Sequence, residues 1–145
     1  MKNRTDIDQL HDEIKELVDE LWHLPRFAGV RRGFRPQADC IRCEDPAELR
    51  VIVELPGVDP ATIKVIAADR VLVVAGERRR PQVSGRYRQL EIEYGPFQRR
   101  IPLDEPVDAS AASARYEQGM LIVSLPIAAK TPQSERVAIV IRGRQ

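Results

Sequence analysis

The chain has 145 residues, 43% of them hydrophobic and 31% charged. That suffices for one domain with short extensions, excludes two full-sized domains and argues against full-length disorder. Twenty-three Lys and Arg against 22 Asp and Glu leave a formal charge of +1, which argues against a protein built mainly to neutralise phosphates and leaves little repulsion to oppose self-association.

Residues 1 to about 25 read as a helix. Ile7, Leu10, Ile14, Leu17, Leu21 and Leu24 are spaced 3, 4, 3, 4, 3, an a/d seam lasting three heptads. Thr5 with Asp8 is an N-cap signal, and Leu24-Pro25 a stop. The opposite face carries Asp8, Asp12, Lys15 and Asp19. Pro25 to Pro36 holds four arginines, two glycines and two prolines and reads as a mobile linker. Because such a linker folds back poorly, the seam is expected to pair between molecules. Nothing here has the apolar core of a secretory signal, so the cytoplasm is the expected location.

From residue 38 the period switches to two. Leu49, Val51, Val53 and Leu55 form one alternating set, Ile63, Val65 and Ala67 a second, and Leu121, Val123 and Leu125 a third. Each is a strand with one core face. Turn signals stand between them at Pro56-Gly57, Asp59-Pro60, Ala68-Asp69-Arg70, Gly76, Gly95-Pro96 and Gln118-Gly119. Many short strands with no helical pattern between them predict an antiparallel sandwich or barrel. After a polar stretch, Thr131–Glu135, comes Val137-Ala138-Ile139-Val140-Ile141, with Val137, Ile139 and Ile141 on one face. An apolar β-rich segment beyond a linker needs a place to bury that face. It and Val71–Ala75 are the longest aliphatic runs. Both fall far short of the roughly 20 residues of a membrane span, so none is expected.

The chemistry-bearing residues do not assemble into a catalytic pattern. The two histidines, His11 and His23, both fall in the N-terminal segment, and no phosphate-binding glycine motif is present. Cys40-Ile41-Arg42-Cys43 spells CxxC but lacks a second ligand pair for zinc and a helix N-terminus for redox work. On a strand its cysteines face opposite ways, one packing as a small hydrophobe and the other partly exposed. Arg78-Arg79-Arg80, with Arg86 and Arg88, reads as a solvated loop rather than a nucleic-acid contact, since Glu77, Glu91 and Glu93 lie close by. No enzyme, no metal, no cofactor and no nucleic-acid partner is expected.

An ordered series of motifs runs through Leu55-Pro56-Gly57-Val58, Ile63-Lys64-Val65, Val71–Glu77, Tyr94–Leu103, Ala114–Leu121 and Leu125-Pro126. In this order and spacing the set resembles the α-crystallin domain of the small heat-shock proteins. Ile139-Val140-Ile141 matches that family's I-x-I tail. Gln118 stands where Asn is usual and Met120 where Val is usual, and Pro102 should end its strand or place it at an edge.

The resemblance implies an immunoglobulin-like antiparallel β-sandwich over residues 36–126, an N-terminal helical arm and linker over 1–35, and a C-terminal extension over 127–145. It implies an ATP-independent holdase that binds unfolding client proteins, working as a dimer that assembles into a larger homo-oligomer. The exchanged strand of the dimer would run over about Arg88–Glu93, with Arg88, Leu90 and Ile92 at the contact and Arg99 pairing with an acidic group. Val137, Ile139 and Ile141 would seat in a neighbouring dimer's groove, lined by Val65, Ala67 and Ser113. The helix seam would bind clients or hold the assembly together. The runner-up is a CS-type co-chaperone module on the same sandwich.

Overall fold

The computed structural model describes residues 33–129 and 136–143, together with Glu16. The helix seam of Ile7 to Leu24, both histidines and most of the Pro25–Pro36 linker lie outside the described residues.

Among the described residues nine strands run β1 (Ala38–Cys43), β2 (Glu48–Glu54), β3 (Lys64–Ala68), β4 (Val71–Arg78), β5 (Gly95–Pro102), β6 (Ser113–Glu117), β7 (Met120–Pro126), β8 (Val137–Ile139) and β9 (Ile141–Gly143). They form two sheets, ordered β1-β2-β7-β6-β9 and β5-β4-β3-β8. Every pairing is antiparallel except β6 with β9, which is parallel. The tail contributes that exception, because it runs past β3 and then continues onto the opposite sheet.

Between the sheets lies the core predicted from period two. Leu49, Val51, Val53 and Leu55 of β2 and its end meet Leu121, Val123 and Leu125 of β7 on one side. Val65, Ala67, Leu72, Val74, Phe97 and Ile101 face them from the other sheet. The register explains the match, since Val51 stands opposite Val123 and Val53 opposite Leu121. Side chains opposite one another share a face.

Two turns show how the sequence closes the sheets. Asp59 accepts from the Ala61 backbone N–H and caps a short 3-10 turn over Pro60–Thr62. Gln118 and Gly119 join β6 to β7 with φ of 51° and 78°. A Cβ on Gly119 would lie 2.9 Å from the Pro56 backbone, so only glycine fits.

Gly76 was expected at a turn and instead lies inside β4, opposite Phe97. The Phe97 ring sits where its Cβ would be, at 2.8 Å, so this glycine makes room for a ring rather than a bend. Pro102 ends β5, which is an edge strand. The expectation of one core face fails for β3, and its neighbour β4 is also buried on both faces. Ile66, Val73 and Ala75 point away from the core and are nonetheless buried.

Candidate functional site: a tail groove, an unpaired excursion and an aromatic–arginine stack

The first site is a groove between β3 and β6. β8 lies along β3, with Ile139 opposite Val65 and Val137 opposite Ala67. β9 lies along β6, with Ile141 opposite Ala114. Ile139 joins the core cluster at 9% exposure, while Val137 and Ile141 are half-buried against it. Val140, between the two isoleucines, points outward at 82% exposure. The tail therefore bridges the two sheets with one isoleucine on each, and it seats in the groove of its own chain. Ser113 is exposed and pairs with Ser124, and the pleat brings its neighbour Ala114 to the tail instead.

The second site is the excursion between β4 and β5. From Arg79 to Tyr94 it forms no strand. Val83, Tyr87, Leu90 and Ile92 are exposed along it by 51% to 65%. Arg88, Leu90 and Ile92 pair with nothing in the sheets. β1 is the matching feature on the other sheet, an edge strand with four exposed residues in succession. Just before it, Arg99 donates to the Pro36 carbonyl at 2.5 Å. Arg99 lines a cleft of about 380 Å³ with Arg35, Gln37, Ala38 and Glu93. Burial, followed by the positive charge of Arg35, pulls its pKa below the ordinary arginine value. Among the described residues no carboxylate forms an ion pair with it, so the acidic partner expected for Arg99 is not supplied within the described part of the chain.

The third feature went unread in the sequence. Arg78 is 9% exposed, not solvated. Its guanidinium stacks on Phe34 at 3.6 Å and faces Tyr94 at 5.4 Å. It donates from Nε to the Glu93 carbonyl at 2.9 Å, from Nη2 to the same oxygen, and from Nη1 to the Pro56 carbonyl at 3.4 Å. Arg80 then lies over Tyr94 at 4.5 Å and Tyr87 at 5.2 Å. The stack Phe34, Arg78, Tyr94, Arg80, Tyr87 ties the end of the linker, the end of β4 and the excursion together. Parity was the available signal, because Arg78 continues the inward series Leu72, Val74, Gly76. The last linker residues are accordingly docked: Phe34 donates its N–H to Pro96 and its ring meets Phe97 edge-on at 5.7 Å.

The CxxC pair also departs from expectation. Cys40 is exposed and Cys43 half-buried, so neither packs as a core hydrophobe. Loss of water around the Cys40 sulfur, then the charge of Asp104, raises its pKa above the ordinary thiol value. The thiolate is the reactive form, so this shift suppresses reactivity. Iodoacetamide at pH 8 should alkylate Cys40 more slowly than the same thiol in denaturant. Asp104→Asn should recover part of that difference, as read by mass spectrometry.

These features place the chain in a known class, that of two-sheet sandwich domains with a tail-filled groove. A small heat-shock protein from Xylella fastidiosa with a distinct high order structure superposes with a TM-score of 0.58 at 31% identity, covering 73% of this chain and 98% of that one. The alpha-crystallin of Mycobacterium tuberculosis strain ATCC 25618 / H37Rv is 32% identical over 120 residues, 79% of this chain and 80% of that protein. The 19.0 kDa class II heat shock protein of Oryza sativa subsp. japonica is 39% identical over 85 residues, 53% of this chain and 49% of that protein, so the match spans about half of the rice protein. The model of the Hsp20/alpha crystallin family matches residues 41–142, and the chain belongs to that family. Membership places it among the small heat-shock chaperones. Among the described residues no helix is long and apolar enough to cross a membrane.

Proposed function

We propose that this chain is an ATP-independent holdase of the cytoplasm that binds unfolding proteins and keeps them from aggregating. The observation that carries the reading is the seating of Ile139 and Ile141. Each sits on a three-residue strand, and each strand closes a different side of one groove. Burying Ile139 fully and Ile141 in part stabilises the seated tail by about 2 to 4 kcal/mol before ordering costs. A contact of that size holds at rest and releases under modest stress. Release uncovers the apolar lining of Val65, Ala67 and Ala114. Unfolded chains display the matching apolar segments, and binding them needs no reaction, only preference for the unfolded state.

Assembly follows from the same parts. The groove is identical in every copy, so a tail that fills its own groove can also fill a neighbour's. Lys130–Glu135 adds six residues between the sandwich and the tail strands, a reach of about 20 Å. The Arg88–Glu93 segment is the strand we assign to exchange between partners, with β1 of the partner as its edge. Its alternation sets Leu90 and Ile92 on one face and Glu91 and Glu93 on the other. Arg99 then takes its acidic partner from the second copy. Many weak client contacts on one assembly give useful avidity.

The test is recovery of a soluble complex. Citrate synthase heated with the full chain, without ATP, should elute with it as one large species on size exclusion. Citrate synthase that pellets while the chain elutes alone would contradict the proposal.

A further inference from the structure

Arg99 stands in a core-facing register. It lies opposite Val74 on β4 and falls between Phe97 and Ile101, whose side chains enter the core. β5 is an edge strand, so this arginine reaches the open side of the sandwich instead of a packed layer. There it lines the cleft of about 380 Å³ with Arg35, Gln37, Ala38 and Glu93. A guanidinium carries a rigid fork of N–H donors and no acceptor. Nη1 of Arg99 is given to the Pro36 carbonyl. Among the described residues no carboxylate forms an ion pair with Arg99 or Arg35. The two cations are close enough for Arg35 to add to burial in lowering the Arg99 pKa.

The walls of the cleft are held in place before any ligand arrives. Phe34 donates its N–H to Pro96, and its ring stacks on the Arg78 guanidinium. Pro36 is buried, and the Gln37 carbonyl accepts the Glu54 N–H at 2.9 Å. Arg35 therefore stands on a segment fixed on both sides. On the other wall, the Glu93 carbonyl accepts from Nε of Arg78 at 2.9 Å. One buried arginine thus braces both walls, and a cleft set in advance loses little affinity to ordering.

We propose that this cleft binds hydrogenphosphate, with Arg35 and Arg99 donating to its charged oxygens and Glu93 accepting from its remaining hydroxyl. Two guanidinium forks match phosphate oxygens and supply charge-assisted hydrogen bonds. They outnumber the single carboxylate, so the cleft favours an anion. Glu93 then selects among anions, because a carboxylate can only accept. Hydrogenphosphate keeps one O–H at neutral pH and donates it to that carboxylate. Sulfate has no proton to give and would set its lone pairs against those of Glu93. The site belongs to a single chain and does not depend on the client reading.

Titration calorimetry on the full chain tests it, with inorganic phosphate and with sulfate, in Tris chloride near neutral pH at constant ionic strength. One phosphate per chain is expected, bound about tenfold more tightly than sulfate. Arg35→Ala and Arg99→Lys should each weaken phosphate about tenfold, the lysine because it keeps the charge and loses the fork. Glu93→Gln should bring sulfate to within about twofold of phosphate, since an amide donates as well as accepts. Glu93 is exposed and Arg78 holds its carbonyl, not its side chain, so this variant keeps the test decisive should Arg99→Lys fail to fold. A parent that binds no phosphate, or binds sulfate equally well, would overturn the site. So would affinity unchanged by Arg35→Ala, or selectivity unchanged by Glu93→Gln.

Discussion

Replacing Ile139 and Ile141 together by alanine should leave a folded domain and dismantle the proposed larger assembly. The core between the sheets keeps its Leu, Val and Phe residues, and Ile139 alone of the tail enters it. The loss is the tail's own burial, about 2 kcal/mol at the low end, which is roughly thirtyfold in the constant for seating the tail. Light scattering should fall to the mass of a dimer, and the far-ultraviolet spectrum should stay that of a sheet protein. A double variant that keeps the parent's mass would show that the tail is not what links dimers. Val140→Ala is the control. Its side chain points outward, so it should change neither mass nor stability by more than about 0.5 kcal/mol.

Arg78→Ala is the second large effect, and it acts on the excursion. The variant removes a guanidinium held by the Glu93 and Pro56 carbonyls and stacked on Phe34. A lost charged hydrogen bond costs about 1.5 to 3 kcal/mol and a desolvated cation–π contact about 2 kcal/mol. Partial re-solvation of the freed carbonyls offsets part of this, so urea unfolding should show a loss of about 2 to 4 kcal/mol. Arg78→Lys should restore little, because a lysine cannot present Nε and Nη2 together to one carbonyl while stacking on a ring. The stack also positions Tyr94 and, through Arg80, Tyr87. The Arg79–Tyr94 stretch should therefore become about tenfold more sensitive to trypsin. Equal sensitivity in parent and variant would mean that the stack does not hold the excursion.

The sandwich was legible because its two inner faces obey period two almost without exception. β2 and β7 read directly, as alternating aliphatics opposite one another, and so did the tail, whose isoleucines share a face. The pieces that escaped share a physical cause, which is that a contact between distant elements leaves no local period. Arg78 looked like one of three solvated arginines, and only Phe34 and Tyr94, 44 and 16 positions away, make it a buried one. Gly76 looked like a turn because the ring that needs the space is on another strand. Ile66 sat on what alternation assigned to solvent. Ser113 and Ala114 differ by one step of the pleat, and a register that close is set by pairing with β7 rather than by composition. Leu90 and Ile92 are exposed, and no strand forms there within one chain.

Holding unfolding proteins without ATP is the activity proposed for this chain. The direct measurement is scattering from citrate synthase at 45 °C with increasing amounts of the full chain and no nucleotide. Suppression that is complete near one chain per client and unchanged by added ATP is the predicted result. Scattering that rises equally with and without the chain, from protein shown to be folded and assembled, would contradict it.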